Sequence, residues 1–182
     1  MDLNSFSGSL NISRSGLTNL ETRNPSLNIN GETPVYSTRL KQTASQDLSN
    51  GQNVIAFQEK EFDTFPAGQR VSLALSETTI ELPGPGLYSF DTHVGLTTAF
   101  DDTLVFIVYL MYDLRDGNGL QPLGAQDRKR TNVSFLSASV SDTYYFPNGG
   151  SVEVRAVNGD NDAKQTNVGS DPITFLTITK LA

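Results

Sequence analysis

Residues 79–90 read TIELPGPGLYSF, and this stretch decides the fold class. Two prolines and two glycines interrupt a strand-like segment, after which an aromatic residue follows at every second position. Proline cannot donate a ladder hydrogen bond and glycine allows a tight reversal, so one strand ends at Leu82 and the next begins after Gly86. Because side chains alternate across a sheet, Tyr88 and Phe90 share one face. The stretch predicts two strands joined at a corner, with both aromatic rings in the core.

Alternation with a period of two recurs from residue 34 to the carboxyl end, and no window shows the 3.6-residue apolar stripe of a helix. Turn sequences such as DGNG at residues 116–119 separate the alternating runs. We therefore predict an all-β domain, an antiparallel β-sandwich of about ten strands. The predicted strands are residues 36–44, 52–57, 70–75, 78–82, 87–96, 103–113, 132–140, 142–146, 151–157 and 173–180.

Two of these strands are apolar on both faces. In TLVFIVYLMYD (residues 103–113), one face carries Leu104, Phe106, Val108 and Leu110, and the other carries Val105, Ile107, Tyr109 and Met111. In ITFLTI (residues 173–178), Ile173 and Phe175 oppose Leu176 and Ile178. The strand SVEVRAV (residues 151–157) differs, because its polar face needs no cover.

A sandwich buries one face of each strand, so a second apolar face needs another partner, and a second copy of the chain would serve. The alternative is that these are central strands covered by loops. We predict self-association, and the pattern leaves open which face lies between subunits. The candidate core or interface residues are Tyr88, Phe90, Val105, Ile107, Tyr109, Met111, Phe175, Leu176 and Ile178.

Residues 1–34 differ from the rest in being rich in Asn, Ser, Thr and Gly, with SLNIS at residues 9–13 repeated as SLNIN at residues 26–30. Such a segment is too polar to form a core, and it is either an extended attachment segment or disordered. The apolar pairs Leu10 with Ile12 and Leu27 with Ile29 favour attachment. We predict two parts: residues 1–34 as an extended attachment segment and residues 35–182 as the head domain.

Four segments in the head domain resemble one family. IELPGPGLYSFDTHV resembles a segment of the tumour-necrosis-factor-like (TNF-like) jelly rolls, in particular their complement-one-q globular heads, and YSTRLKQTASQDLSNGQNVIAFQEKEFDT resembles their first strands, with matches at Phe57, Phe62 and Asp63. YFPNGGSVEVRAVNGD and PITFLTITKLA resemble two later strands in the same order. The resemblance covers residues 36–182 and implies a homotrimeric jelly roll. It departs from the family at Ser151, which follows Gly150 where Asp is usual, and at Leu176, where Gly is frequent.

Composition excludes several classes of protein. The 182 residues contain no Cys, which excludes disulfides, thiol nucleophiles and cysteine zinc sites, and the net charge of -7 disfavours nucleic acid as a partner. The longest apolar run, LVFIVYLMY, is about half the ~20 residues that a membrane-spanning helix needs. The amino terminus lacks the pattern of a secretory signal. The chain therefore either stays inside the cell that makes it or leaves by another route, such as assembly into a particle followed by lysis. We expect that route, with synthesis in the host cytoplasm and location on the surface of a virion.

Signals for chemistry are weak. His93 is the only histidine and has no nucleophile motif or second metal-spaced histidine near it, so we predict no enzyme activity and no cofactor. Asp160, Asp162 and Asp171 form an oxygen-rich stretch that fails the EF-hand pattern, and we predict solvated turns rather than a metal site. The cluster Arg128, Lys129 and Arg130, placed in a long loop, is either a solvated loop or a weak site for an anionic glycan or phosphate.

These features predict a bacteriophage virion-surface protein without enzyme activity, either a trimeric fibre or spike head or a capsid decoration protein. Its Asn-rich, cysteine-free character is similar to that of TNF-like relatives at the tips of phage fibres and in bacterial surface proteins. We expect it to contact a capsid or fibre protein through residues 1–34 and to bind a host receptor or glycan. The alternative is a soluble cytokine-like ligand, or a bacterial-surface binding module, with the same head.

Overall fold

The structure is a computed structural model that describes residues 35–73, 78–97, 105–130, 137–169 and 173–181. These residues contain thirteen β-strands and no helix. At residue 73 and residues 124–130 the backbone alone is described. The strands are β1 Tyr36–Lys41, β2 Asp47–Leu48, β3 Gly51–Val54, β4 Glu59–Asp63, β5 Ser72–Leu73, β6 Ile80–Leu82, β7 Gly86–Gly95, β8 Val105–Asp113, β9 Gln121–Arg130, β10 Ser137–Phe146, β11 Gly150–Asn158, β12 Lys164–Gln165 and β13 Phe175–Lys180. Within these ranges no helix could cross a membrane.

Two antiparallel sheets enclose the core. The first has five strands in the order β10-β7-β13-β1-β4, and the second has the order β5-β6-β11-β8-β9. Strand β3 also joins the second sheet, because it pairs with residues 155–158 of β11 beyond the point where β6 ends. A short pair, β12 with β2, lies outside both sheets. The predicted all-β antiparallel fold is confirmed.

The corner at residues 79–90 has the predicted form. Gly84 has a φ of 98°, a left-handed conformation that glycine adopts without a steric penalty. Tyr88 and Phe90 are completely buried, and both pack edge-on against Phe146 of β10, with centroid distances of 5.8 and 5.9 Å. The Tyr88 hydroxyl donates a hydrogen bond of 2.9 Å to the Gly84 carbonyl. The corner thus supplies both the turn and part of the core.

The six-stranded sheet buries one face of each central strand, as predicted. Phe106, Val108 and Leu110 of β8 are completely buried, and so are Val152, Val154 and Ala156 of β11. The opposite face of β11 is drier than expected, because Glu153 is only 9% exposed. Its carboxylate accepts hydrogen bonds from the Arg155 guanidinium at 2.9 and 3.1 Å and from the Thr79 hydroxyl at 3.1 Å.

Strands β4, β9 and β10 differ from the sequence-based prediction, and the short pair β2 and β12 was not predicted either. Strand β10 continues through Ser141 and Asp142, where a break was predicted, because its backbone stays paired with β7 in one register, with Ser141 opposite Asp91 and Asp142 opposite Phe90. Residues 121–130 were predicted to be a loop, yet they form edge strand β9, where proline and charged residues are tolerated. Strand β4, which was not predicted, is another charged edge strand.

Candidate functional site

The outward face of the five-stranded sheet carries unusually large side chains. Tyr145 on edge strand β10 is 58% exposed, and Phe62 on the opposite edge strand β4 is 42% exposed. Between them, Leu87, His93 and Phe175 are half-buried on the same side. We call these five residues the aromatic face. A solvated sheet face normally carries polar side chains, so this face differs from the expected pattern.

A stacked group occupies the centre of the aromatic face. The His93 ring lies parallel to the Phe175 ring, with a centroid distance of 5.7 Å and an interplanar angle of 11°. The Arg39 guanidinium carbon lies 3.9 Å from the centre of the Phe175 ring, which is cation–π geometry. His93 Nδ1 is also 2.7 Å from the Ser139 hydroxyl. These contacts stack the three side chains against one another across strands β7, β13 and β1, and the Arg39 guanidinium covers one face of the Phe175 ring. We call these three residues the platform.

Ion pairs border this platform on the β4 side. Arg39 Nε is 3.3 Å from Glu61 Oε2, and Lys41 Nζ is 3.5 Å from Glu59 Oε1. All four side chains are partly exposed, so each pair contributes only about 0–1 kcal/mol in the isolated chain. Their main effect is to place charged groups around an apolar centre, the usual arrangement of a protein–protein interface.

The outward face of the six-stranded sheet is the second candidate for a subunit contact. Val105, Ile107, Tyr109 and Met111 of β8 lie there and are all half-buried. Tyr109 accepts a hydrogen bond from Gln52 of β3, and Arg155 pairs with Glu153 beside it. Neighbouring strands therefore already cover much of this row. Several large hydrophobic side chains of the described residues are exposed to solvent, and these four are not among them.

Solved structures resemble the chain in fold, although sequence comparison finds nothing: no family model matches, and no curated protein matches. Murine APRIL at pH 8.0 superposes with a TM-score of 0.60 and 13% identity over 81% of this chain and 100% of that chain. Eiger TNF from S. frugiperda superposes with a TM-score of 0.56 and 12% identity over 82% of this chain and 94% of that chain. The chain is a TNF-like jelly roll. At this level of identity the likeness concerns the fold alone.

In the structure, the nine predicted core or interface residues fall into three groups. Tyr88, Phe90, Leu176 and Ile178 are completely buried in the core. Phe175 lies on the aromatic face, opposite Leu176 and Ile178 in strand β13. Val105, Ile107, Tyr109 and Met111 lie on the outward face of the other sheet. The nine predicted residues therefore do not form one surface.

Other predicted residues fall partly or wholly outside the described residues. The backbone of Arg128, Lys129 and Arg130 belongs to β9, but their side chains are not described. Leu10, Ile12, Leu27, Ile29, Leu104 and Asp171 lie outside the described residues. Their predicted roles remain predictions.

Of the two described aspartates after β11, Asp162 is exposed as predicted, whereas Asp160 is buried and its carboxylate is held by contacts within the turn. Asp160 Oδ2 is 2.7 Å from Lys164 Nζ, and Asp160 Oδ1 accepts a hydrogen bond from the Asp162 backbone. The bond from Lys164 is the main cause that lowers the pKa of Asp160. The buried Asn158 side chain fixes the same turn by bonding to the carbonyls of Leu48 and Asp162. Among the described residues, no group of three or more His, Asp or Glu residues is placed to hold a metal ion.

Sequence reasoning did not identify Tyr145 and Phe62 as surface residues. Tyr145 lies in the aromatic-rich stretch TYYF, which is typical of a buried strand, whereas Phe62 lies in the charged stretch EKEFD. For Tyr145 the available signal was its alternation with Tyr144 and Phe146, which pack against or within the core. For Phe62 the signal was its position among charged residues, the mark of an edge strand.

Proposed function

We propose that this chain is a homotrimeric binding head without enzyme activity, in which the aromatic face of one copy packs against the next copy. The observation that carries the proposal is the pair of exposed aromatic rings on the two edge strands of the five-stranded sheet, Tyr145 and Phe62, with the half-buried Phe175 on the strand between them. An exposed apolar surface of this kind marks an interaction site in a soluble protein. The resemblance in sequence to the trimeric TNF-like heads supports a ring of three copies.

The geometry favours a head-to-tail arrangement. Tyr145 lies on one edge strand, and the Arg39, His93 and Phe175 platform lies nearer the middle of the same sheet. An edge that packs onto the middle of a neighbour's sheet makes a contact between two different surfaces, and such contacts close into rings when the rotation allows. Tyr145 of one copy would then contact the Phe175 ring and the Arg39 guanidinium of the next.

Sedimentation equilibrium of the full chain tests the assembly. We expect a particle of about three times the 19.8 kDa chain mass at micromolar concentration. Phe175→Lys should shift the particle toward the monomer, because it would bury a second cation beside Arg39 between subunits. Val157→Asp, on the outward face of the other sheet, is the matched control and should leave the trimer intact. A monomeric parent protein, or dissociation by Val157→Asp alone, would contradict the proposal.

We further propose that the head is displayed on a virus particle, as a bacteriophage fibre or spike head or as a capsid decoration protein, through residues 1–34. The polar composition of this segment and its repeated SLNIS and SLNIN pieces support attachment. Full-length protein and a chain beginning at Gly31 can be mixed with particles that lack the protein. Incorporation of the full-length form alone supports the role of the segment, whereas equal incorporation would assign attachment to the head.

A second candidate is a soluble cytokine-like ligand, and the fold likeness to murine APRIL and to Eiger TNF favours it. The two candidates share the trimeric head and differ in what residues 1–34 contact. Binding of the purified trimer to cells, without any binding to particles, would favour the ligand. Co-purification with particles would favour the virion protein.

A further inference from the structure

A cavity of 330 Å³ opens where strand β8 ends and the chain turns toward β9. Its size is at the small end of the ~300–1,000 Å³ that small-molecule sites span, so it would accommodate one ring-sized group. Residues from a single short stretch line it, namely Tyr112, Leu114, Asp116, Asn118, Gly119 and Gln121. No second copy of the chain is needed to complete it.

The rim of the cavity is held by hydrogen bonds within the loop. Asp116 Oδ1 accepts a bond of 3.0 Å from the Asn118 backbone, and its Oδ2 accepts one of 2.9 Å from the Asn118 amide. Gln121 donates a bond of 3.0 Å to the Asn118 carbonyl. Gly117 and Gly119 have φ values of 89° and 68°, which allow the loop to fold back on itself. The polar groups of the rim are therefore positioned before any ligand arrives.

One wall of the cavity is a fixed aromatic ring. Tyr112 packs against Tyr144 with a centroid distance of 4.6 Å and meets the buried Phe146 edge-on at 6.1 Å. The hydroxyls of Tyr112 and Tyr144 are 3.2 Å apart. This bond is the main cause that raises the pKa of Tyr112, so the hydroxyl stays protonated at neutral pH. With Leu114 beside it, the ring forms one apolar wall of an otherwise polar cavity.

The rim keeps unused hydrogen-bonding capacity. Each carboxylate oxygen of Asp116 has about two acceptor positions and uses one on Asn118. The amide oxygens of Asn118 and Gln121 can also accept, and each amide has a second N–H. A ligand with adjacent hydroxyl groups can donate to the carboxylate and accept from an amide at the same time.

The charged groups at the cavity disfavour an anionic ligand. The pKa of Asp116 is lowered mainly by the Asn118 backbone hydrogen bond, so the carboxylate is ionised at neutral pH. No Lys or Arg is among the residues that line the cavity, and the neighbouring Arg115 guanidinium is paired with Glu81. An anionic ligand would meet a carboxylate without a compensating cation.

We propose that this cavity binds one neutral sugar residue, with the apolar face of the sugar ring against Tyr112 and Leu114 and adjacent hydroxyls bonded to Asp116 and Gln121. The inference rests on the proposed role as a binding head, because it names the chemistry of the partner. It does not depend on the trimer, since one chain supplies every contact.

Saturation-transfer NMR with the full chain tests the proposal. The probes are methyl β-D-galactoside, methyl α-D-glucoside and N-acetylglucosamine, with N-acetylneuraminic acid as the anionic probe and choline as the cationic one. We expect transfer to the ring protons of at least one neutral sugar at millimolar affinity. Asp116→Asn and Gln121→Ala should each weaken binding about fivefold or more, the effect of losing one hydrogen bond.

Gln69→Ala, at an exposed position in another loop, is the matched control and should bind like the parent. Absence of transfer to all three sugars would overturn the proposal, and so would stronger binding of the anionic or cationic probe. Equal binding by Asp116→Asn and the parent, at unchanged melting temperature, would also overturn it. Sedimentation of the same samples separates the two hypotheses, because a monomer that binds sugar would contradict the assembly and not the site.

Discussion

Gly149 and Gly150 occupy positions where another residue would collide with the backbone. A Cβ atom on Gly149, whose φ is 74°, would lie 3.0 Å from the Gly84 Cα atom at the corner between β6 and β7. A Cβ atom on Gly150 would lie 2.3 Å from the Asp113 carbonyl oxygen. The turn at Gly149 and Gly150 thus lies against backbone that is distant in sequence, at Gly84 and Asp113. This close approach explains why the chain has Gly at positions 149 and 150.

Replacing Gly150 with alanine should lower the free energy of unfolding by at least ~1–3 kcal/mol, the usual cost of forcing extra atoms into a packed site. Urea denaturation followed by fluorescence of the tyrosines measures the change. Gly169→Ala is the matched control, since a Cβ atom there meets nothing within 4 Å. Equal stability of the two variants would show that the backbone at Gly150 moves aside without cost.

Tyr88 should make the head sensitive to high pH. Burial raises the pKa of Tyr88 to about 12, above the ordinary value of 10.0. The folded state therefore holds the phenol proton more tightly than the unfolded state, so this stabilisation is complete below pH 10 and is lost as the pH rises toward 12. In Tyr88→Phe, the fall in melting temperature across this pH range should be shallower than in the parent. An equally steep fall in Tyr88→Phe and in the parent would contradict this prediction.

Strand β8 shows at the scale of one element how far the sequence could predict the structure. Alternation correctly assigned Phe106, Val108 and Leu110 to one buried face, because a side-chain period of two depends on the backbone alone. The degree of cover on the opposite face could not be predicted, since it depends on Gln52 of β3 and Arg155 of β11, whose positions follow from the arrangement of the strands. Strand β9 was missed for a related reason: its Pro122 and its charges are unfavourable in a strand unless that strand lies at an edge.

The candidate sites were less predictable than the fold. The aromatic face combines residues from four strands, and its platform joins Arg39, His93 and Phe175, which are far apart in sequence. The cavity is local, and the DGNG sequence was noted only as a turn. Its binding character depends on Tyr112 being held by Tyr144 of the other sheet, a contact that no pattern within residues 112–121 reports.

The two faces of β8 should respond differently to truncation. Leu110→Ala should cost ~2–5 kcal/mol of unfolding free energy, because it leaves a cavity in the completely buried core. Met111→Ala, on the half-buried outward face, should cost clearly less. Chemical denaturation compares the pair. A Met111→Ala cost as large as that of Leu110→Ala, together with dissociation of the oligomer, would move the subunit contact to this face.

For the whole molecule, we expect the head to fold and assemble without residues 1–34. All thirteen strands and the aromatic face lie at or beyond Tyr36. A chain beginning at Gly31 should therefore keep the melting temperature and the trimeric mass of the parent. Circular dichroism and sedimentation equilibrium measure the two properties. Loss of the trimer in the shortened chain would make the amino-terminal segment part of the assembly.

Strands β1 and β13 lie side by side and antiparallel, with Tyr36 opposite Lys180. A force applied between these two residues would load the hydrogen bonds of the pair one after another, starting at the loaded end, instead of loading them all together in shear. The head is therefore mechanically weak along this direction. A head that is anchored at its amino end would resist pulling better when its ligand is held by the loop at residues 114–120 than when a load is applied at residue 180.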